Sequence, residues 1–465
     1  MITVALLFLV SEGIRQSGTL GQVIKKLLPQ GKTTVFKAQL RILPSVAFIS
    51  AFLNNTPVVV IFAPIIKHWA KSVKLPATKF LIPLSYVTIL GGICTLIGTS
   101  TNLVVHGMIL EAGYEGFTMF ELGKVGIFIA IAGIIYLFIF SKRLLPDARP
   151  DTAVPDEEVE EGEKLHRVEA VLGARFPGIN KKLSDFNFQR HYGAEVKEIK
   201  TRNGQRYVDH LEDVVLREGD TLVVMADDTF IPTWGESSVF VLLTNGNDPD
   251  TSGKKKRWLA LILLVLMIVG ATVGELPATK EMFPDIKLDM FFFVCITTII
   301  MAWTNIFPAR KYTKYISWDI LITIACAFAI SKAMVNSGVA DCVAGFIIGL
   351  SDDYGPHVLL AILFVITNLF TELITNNAAA ALAFPLALSI SAQLGVSPTP
   401  FFVVICMAAS ASFSTPIGYQ TNLIVQGIGN YKFTDFVRIG LPLNIITFLI
   451  SVILLSLIHI SEPTR

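Results

Sequence analysis

The sequence predicts an all-α polytopic membrane protein made of two related halves, with a small cytosolic α+β domain inserted between them. Three observations support this fold class. Hydrophobic residues make up 52% of the 465 residues and charged residues only 16%, whereas soluble domains carry about 25% charged residues. Apolar runs close to membrane-spanning length recur, as at 126–140, 258–274 and 291–303. Several segments of the first third of the chain also reappear near its end.

Composition and motif content argue against other classes of protein. A formal net charge of +1 offers no basic surface for nucleic acid. The five cysteines lie in apolar segments without paired spacing, which is typical of small core residues and not of disulfides or metal ligands. The sequence contains no nucleophile–base pair, phosphate loop or metal-ligand cluster, so we expect neither an enzyme nor a cofactor other than a coupling ion.

The apolar pattern is interrupted at residues 142–257. Basic residues flank this segment, at Lys142, Arg143 and 254–257, and the positive-inside rule places these flanks in the cytosol. Between them, a charged linker leads to short alternating runs and a turn signal, which predict a small α+β domain. The predicted strands are 165–171, 194–201 and 220–227, with an amphipathic stretch at 181–193 and the turn at 202–204.

The segment LEDVVLREGDTLVVMADD, residues 211–228, resembles the end of an RCK C-terminal domain of the TrkA type. In such domains a Leu-x-x-Gly-Asp turn leads into a hydrophobic strand. The resemblance covers a core at 164–230 and implies a cytosolic regulatory module with an unknown small ligand. A structural spacer is the alternative interpretation of this segment.

Four pairs of segments define an internal repeat with an almost constant offset. They are 2–18 with 322–338, 53–64 with 374–385, 97–107 with 417–427, and 117–120 with 433–436. Four matches in the same order indicate two homologous halves, which we bound as 1–141 and 258–455. Basic and acidic loops fall on opposite sides in the two halves, which predicts inverted topology, the architecture of many secondary transporters.

The repeat also raises expectations about both ends of the chain. The second half carries two helices, near 258–275 and 287–306, before the counterpart of residue 1. We therefore expect the first half to lack about two helices at its N-terminus. The last ten residues, SLIHISEPTR at 456–465, resemble the translation of a sequencing adapter and carry no functional expectation. A genuine polar tail is the alternative.

Two polar clusters interrupt the most apolar segments at equivalent positions. Each lies between two apolar arms that are too short to span a bilayer, which predicts a re-entrant hairpin with its tip near the membrane midplane. The first hairpin has arms 42–53 and 58–66 around Asn54, Asn55 and Thr56, and the second has arms 359–374 and 378–389 around Thr375, Asn376 and Asn377.

Each predicted hairpin is followed by an apolar helix with a polar break. The first break contains Gly98, Thr99, Ser100, Thr101 and Asn102, and the second runs from Thr415 through Gly418 to Asn422. Broken helices expose carbonyl, Asn and Thr oxygens that suit a hard cation such as Na⁺, and half-helix N-termini that suit an anion. We therefore predict that tips and breaks form a transport site. Simple helix–helix contact is the alternative role of these residues.

These motifs resemble the divalent anion/sodium symporter family of the ion-transporter superfamily, in the branch that carries an inserted RCK-type domain. The hairpin tips of that family read Ser-Asn-Thr, and the central Asn is retained as Asn55 and Asn376. The resemblance implies one Na⁺ site at Asn55 and the first break, a second at Asn376 and the second break, and substrate between the tips. The departure from Ser-Asn-Thr at both tips favours an inorganic oxyanion over a dicarboxylate.

Three ionisable residues fall in apolar segments, where charges are costly and often functional. They are Glu12, Lys332 and Glu372. Glu372 closely precedes the second tip, and we expect that it can relay a proton. Glu12 and Lys332 occupy equivalent repeat positions with opposite charge. They are predicted either to pair across the two halves or to extend from helix ends to the membrane surface.

The sequence thus predicts a secondary active transporter of the inner or plasma membrane, with residues 142–257 in the cytosol. The predicted function is Na⁺-coupled symport of a small anion, sulfate by first choice, through alternating access. The alternatives are a dicarboxylate symporter, a proton-coupled oxyanion exchanger, because TPIG at 415–418 also resembles arsenite permeases, and a membrane anion sensor that signals through the RCK-like domain. We also expect contacts with membrane lipid and a homodimer.

Overall fold

The computed structural model describes residues 2–29, 31–147, 166–173, 175–201, 205–227, 230, 234, 239–244, 254–274, 276–282, 288–307, 312–349 and 356–458. These residues form a mostly helical body and a small antiparallel sheet. Most of the predicted charged linker, the predicted turn at 202–204 and residues 459–465 of the predicted tail lie outside the described residues.

The first half is helical throughout. Its helices are α1 (Ile2–Gln16), α2 (Thr19–Leu27), α3 (Val35–Ser50), α4 (Asn55–Ser72), α5 (Thr78–Gly92), α6 (Ser100–Glu111) and α7 (Gly123–Leu144). The chain leaves the helical conformation at 51–54 and again at 93–99, so the first predicted tip and the first predicted break both coincide with interruptions between helices.

A five-stranded antiparallel sheet follows, with a hydrophobic core of its own. Its elements are β1 (His166–Leu172), α8 (Phe188–Tyr192), β2 (Glu195–Lys200), β3 (Arg206–Tyr207), β4 (Thr221–Ala226) and β5 (Phe240–Thr244), and the strand order is β3-β2-β4-β1-β5. The three predicted strands are confirmed, and α8 falls in the predicted amphipathic stretch. Strand β5 lies beyond the predicted core at 164–230. It belongs to the unit because Phe240 packs against Phe176 and Tyr192 in the core of the sheet.

The second half, like the first, is helical. They are α9 (Lys254–Gly274), α10 (Pro277–Met282), α11 (Met290–Trp303), α12 (Tyr312–Tyr315), α13 (Trp318–Asn336), α14 (Val339–Gly349), α15 (Pro356–Leu373), α16 (Asn376–Leu394), α17 (Thr399–Ser410), α18 (Gln420–Gly429) and α19 (Phe433–Ile458). The second tip again falls between two helices, and the second break, 411–419, again separates two half-helices.

Apolar helices of membrane-spanning length identify a multi-pass membrane protein. Among the described residues, four helices are long and apolar enough to cross a bilayer: Gly123–Leu144, Lys255–Gly274, Asn376–Leu394 and Phe433–Leu457. The count becomes five if α13 and α14, which are bent by 71° at a short break, form one span. Large apolar side chains are exposed along α7 and α19, as lipid-facing surfaces require, including Ile127, Phe128, Ile131, Leu441 and Ile445.

Two features of the predicted helices differ from the structure. The predicted arm 378–389 is part of α16, which has 19 residues, accommodates Pro385 and reaches the length of a span. Its predicted boundaries were therefore wrong. Similarly, α3 and α4 extend well beyond the predicted arms 42–53 and 58–66, with Pro44 and Pro64 inside them.

The predicted pair between Glu12 and Lys332 was also wrong. The Glu12 carboxylate accepts hydrogen bonds from the Arg15 guanidinium at 2.6 and 2.7 Å and from Gln16 at 2.8 Å. Both partners lie about one turn further along α1, where helix geometry places side chains next to each other. The Lys332 side chain is exposed on α13.

The repeat recurs in local backbone geometry. Gly18 and Gly338 occupy equivalent positions just after α1 and α13, and their φ angles are +71° and +72°. Glycine adopts this left-handed conformation without the steric cost that a Cβ brings. The two helices therefore end in the same way.

The sheet unit packs directly on the membrane helices. Side chains of β1 alternate between two environments: Val168 and Ala170 face the core of the sheet, whereas Val171 joins the core formed by the helices. Glu169 accepts hydrogen bonds from Lys67 of α4, at 3.1 and 3.2 Å, and from Lys200 of β2, at 3.3 Å. A charged contact thus accompanies the apolar one.

A second contact joins the sheet unit to α18. A Cβ added at Gly427 would collide with Oγ1 of Thr221, the first residue of β4. Gly219, with φ of +84°, approaches Leu423 so closely that an added Cβ would lie 3.1 Å from its Cδ2. The sheet unit therefore contacts two helices, α4 and α18, that begin at the first tip and the second break.

Candidate transport site

The tips and breaks come together at one place in the described residues. Four helices begin there, α4 at Asn55, α6 at Ser100, α16 at Asn376 and α18 at Gln420, and side-chain contacts link their first turns. A helix N-terminus presents unpaired N–H groups and the positive end of the helix dipole. Four converging N-termini therefore create an environment that favours an anion without any basic side chain.

Tyr419 lies at the centre of this arrangement. Its hydroxyl accepts a hydrogen bond from Asn55 Nδ2 at 2.5 Å and lies 3.0 Å from Thr99 Oγ1, and it also interacts with the Asn376 side chain. Tyr419 is buried and immediately precedes α18. A single phenol therefore connects both tips and both breaks.

Further hydrogen bonds join each tip to the break of the other half. Thr56 Oγ1 donates to Gln420 Oε1 at 3.2 Å. Asn377 Oδ1 accepts hydrogen bonds from the hydroxyls of Ser100 and Thr101 at 3.3 and 3.2 Å. These contacts are equivalent under the repeat, because it aligns Thr56 with Asn377 and Ser100 with Gln420.

Each central asparagine is also held by its own half. Ser50 donates to Asn55 Oδ1 at 2.8 Å, and the equivalent Thr371 donates to Asn376 Oδ1 at 3.2 Å. Asn55 packs on the first break so tightly that a Cβ at Gly92 would lie 2.6 Å from its Oδ1. Only glycine fits at this end of α5.

The last residue of each break closes it with a matching pair of hydrogen bonds. The distances are 3.3 and 2.9 Å from Asn102 Nδ2 to the carbonyls of Gly92 and Thr95, and 2.8 and 3.2 Å from Asn422 Nδ2 to those of Ser412 and Thr415. Each donor and each acceptor of the first break lies 320 positions before its counterpart in the second break, which is the offset of the aligned segments. The two breaks therefore share one local structure.

The breaks differ at the amide oxygens of these two asparagines. Asn422 Oδ1 accepts a hydrogen bond from Ser85 at 2.7 Å. Asn102 is fully buried, and its Oδ1 has no hydrogen-bond partner among the described residues. Ile405 stands where the repeat would place a second Ser85. An unpaired buried amide oxygen close to backbone carbonyls fits a hard cation such as Na⁺.

Glu372 lies against the second break. Its Oε1 accepts hydrogen bonds from the Ser414 backbone N–H at 2.9 Å and from Asn444 Nδ2 at 2.8 Å, and its Oε2 lies 3.5 Å from Ser412 Oγ. The equivalent residue of the first half is Ala51. The second break thus contains a carboxylate that the first lacks, and its role as a proton relay stays a prediction.

The remaining predicted site residues shape the backbone. Thr375 caps α16, with its Oγ1 accepting from Ala378 N–H at 3.4 Å. Asn54 precedes α4 without a side-chain cap. Gly418 is required by packing, because an added Cβ would collide with Ser412 Oγ.

Several contact residues did not emerge from the sequence. They are Ser50, Thr371, Ser85 and Tyr419. The repeat could have revealed Ser50 and Thr371, which are both hydroxyl residues five positions before a central asparagine. Tyr419 has no such signal, because its aligned partner is Thr99.

Comparison with known proteins identifies the family. A family model described as CitMHS, citrate transporter, matches residues 1–389 and 286–463. The chain belongs to this family. CitMHS is a transporter family of the ion-transporter superfamily, so the predicted superfamily and the transporter class are confirmed. The RCK-type resemblance stays a prediction.

Individual relatives extend this assignment. The chain is 29% identical to an uncharacterized transporter of Synechocystis sp., over 100% of this chain and 89% of the relative. A Chlamydomonas reinhardtii protein named "Putative sulfur deprivation response regulator" is 28% identical over 97% of this chain and 92% of its own length. Sodium/sulfate cotransporter 2 of the same alga is 30% identical, over 60% of this chain and only 31% of its own length.

Proposed function

We propose that this chain is a cation-coupled anion symporter that works by alternating access, with sulfate as substrate and Na⁺ as coupling ion. The observation that carries the proposal is the convergence of four helix N-termini, two from each half, on the Tyr419 hydroxyl and the tip asparagines. The likeness to a sodium/sulfate cotransporter supports the choice of both ions. Under this proposal the halves have inverted topology, and each tip moves relative to the opposite break during transport.

The first break is the proposed Na⁺ site. A Cβ added at Gly92 would lie 2.6 Å from the Asn55 amide oxygen and 3.1 Å from the Gly98 carbonyl oxygen, so these two oxygens face the same point. Asn102 adds a buried amide oxygen that has no hydrogen-bond partner among the described residues. The second break is less open to Na⁺, because Ser85 already occupies the amide oxygen of Asn422. Glu372 makes a proton the alternative coupling ion at the second break.

The test is uptake of radiolabelled sulfate into proteoliposomes, with and without an inward Na⁺ gradient. We expect Na⁺-driven accumulation that Asn55→Ala and Asn376→Ala each reduce about 10- to 100-fold, the range for losing a direct polar ligand. Asn336→Ala, at an exposed position on α13, is the matched control and should transport normally. Uptake that ignores Na⁺, or that survives both tip substitutions, would overturn the proposed cation site and favour the proton-coupled exchanger.

A membrane sensor is the second candidate, and one observation favours it. A relative that aligns over almost the whole chain carries a regulatory name, and the sheet unit contacts the two helices α4 and α18 that begin at the site. A sensor binds sulfate without concentrating it. Sulfate binding to the purified protein, together with no accumulation under Na⁺ or proton gradients, would select this function.

A further inference from the structure

Tyr419 makes the site between the tips asymmetric in shape. The repeat aligns Tyr419 with Thr99, and their hydroxyls lie 3.0 Å apart. One half thus supplies its hydroxyl on a short side chain, and the other supplies it at the end of an aromatic ring. The space that a second threonine would leave open on the side of the second break is filled by that ring.

In the conformation of this structure, the ring is held in position at both ends. Its backbone is fixed by the close packing of the preceding residue, Gly418. A Cβ added at Gly418 would collide with Ser412 Oγ and would lie 2.5 Å from the Thr371 carbonyl oxygen. The hydroxyl is held at the other end by Asn55 at 2.5 Å. Tyr419 is therefore constrained both at its backbone and at its tip.

We infer that Tyr419 determines the size of the transported anion, admitting a compact tetrahedral oxyanion and excluding carbon chains that carry two or three carboxylates. This inference rests on the proposed anion transport and narrows its substrate class. It matters because the family description names citrate, whereas one relative is named for sulfate.

The donor geometry leads to the same substrate class. The Asn55 amide nitrogen and the Thr99 hydroxyl lie 2.5 and 3.0 Å from the Tyr419 hydroxyl, so the three groups are close enough to bind one small group of oxygens. A dicarboxylate presents two charged groups separated by a carbon chain, and its second carboxylate needs donors and room beyond this cluster. The aromatic ring takes that room on one side. Discrimination by pocket size is typically about 10- to 200-fold.

The test compares sulfate with succinate in the 465-residue chain. Uptake of each labelled anion is measured in proteoliposomes for the wild type, Tyr419→Thr, Tyr419→Phe and Tyr136→Phe. Tyr136 is the matched control, a buried tyrosine that donates to the Ile439 carbonyl at 2.9 Å away from the tips. If Tyr419→Thr does not fold, as judged by size-exclusion chromatography, Tyr419→Leu replaces it.

We expect the succinate-to-sulfate uptake ratio to rise about tenfold or more in Tyr419→Thr. In Tyr419→Phe the ring remains, so succinate stays excluded, while sulfate uptake falls because one donor is lost. Tyr136→Phe keeps the wild-type ratio. A wild type that takes up succinate as well as sulfate would overturn the inference, as would an unchanged ratio in Tyr419→Thr or admission of succinate by Tyr419→Phe.

Failure of transport itself gives a different result. If the wild type accumulates neither anion under Na⁺ or proton gradients, the proposed symport is refuted, and thermal stabilisation of the purified protein by each anion then decides the role of Tyr419. Sulfate should stabilise the wild type, and succinate should stabilise only Tyr419→Thr. Equal stabilisation of the wild type by both anions, or by neither, would overturn the inference.

Discussion

Replacing Glu169 by Gln tests the charged contact between the sheet unit and the membrane helices. Burial alone would raise the pKa of the Glu169 carboxyl, but the attraction of Lys67 and Lys200 and their hydrogen bonds outweigh it and lower the pKa from 4.5 to about 2. At about 1.4 kcal/mol for each pKa unit, this difference amounts to roughly 3 kcal/mol of stabilisation at neutral pH. Glu169→Gln keeps the size of the side chain and removes most of that stabilisation.

The pH dependence has a definite sign. The pKa of Glu169 is lower in the folded protein than in the unfolded chain, so its contribution is complete above about pH 5 and is lost as the pH falls toward about 2. The difference in stability between the wild type and Glu169→Gln should therefore be constant near neutral pH and should shrink on acidification below about pH 4.5.

Hydrogen–deuterium exchange of the β1 amides in purified protein measures the local free energy of opening. Glu195→Gln is the matched control, because Glu195 forms a 2.7 Å pair with Lys197 in which both side chains are about half exposed. Such a pair contributes about 1 kcal/mol or less. Combining Glu169→Gln with Lys67→Met separates the contact with α4 from the contact within the sheet. If Glu169→Gln costs no more than Glu195→Gln, or if the difference persists unchanged in acid, the reasoning is refuted.

Three other predictions concern the transport site. Gly92→Ala should lower sulfate uptake about tenfold or more, because the new methyl group would lie 2.6 Å from the Asn55 amide oxygen. Gly107→Ala is the control and should leave uptake unchanged, because its Cβ would meet no atom closer than 3.5 Å. Glu372→Gln should abolish any uptake that a proton gradient drives without Na⁺ while leaving Na⁺-driven uptake intact, and proton-driven uptake that survives the substitution would exclude a proton role. Ser50→Ala and Thr371→Ala should reduce uptake to a similar extent, because each leaves a central amide oxygen without its donor, at a cost of about 1–3 kcal/mol. A strong effect of only one of the two would contradict equivalent roles for the halves.

The sequence predicted the elements of the site better than their partners. Polar residues deep inside apolar segments are rare, so the tips and breaks were visible without coordinates. The repeat showed which residues are equivalent, but equivalence does not determine contact. The pairing of Thr56 with Gln420 across the halves therefore emerged only from the structure. Glu12 shows the same limit, because its closest partner was a neighbour on its own helix and not its counterpart in the other half.

The sheet unit shows a second limit of the sequence. Alternating residues predicted its strands, because a period of two is visible in a short segment. Its place on the helices was not predictable, because it depends on single small residues. Gly427 in an apolar helix is typical of contact between membrane helices, yet here it lies against Thr221 of a β-strand.

The shortness of α18 has a thermodynamic consequence. Tyr419 precedes this ten-residue helix and Gly427 lies near its other end, about 12 Å away at 1.5 Å per residue. A half-helix of this length moves as one body, so a displacement that separates Tyr419 from Asn55 also changes the surface offered to Thr221. Thermodynamic linkage makes this effect reciprocal. If docking of the sheet unit on α18 changes the affinity for an anion by some factor, binding of the anion changes the equilibrium constant for docking by the same factor. Binding of an anion at Tyr419 should therefore change the protection of the β4 amides from hydrogen exchange.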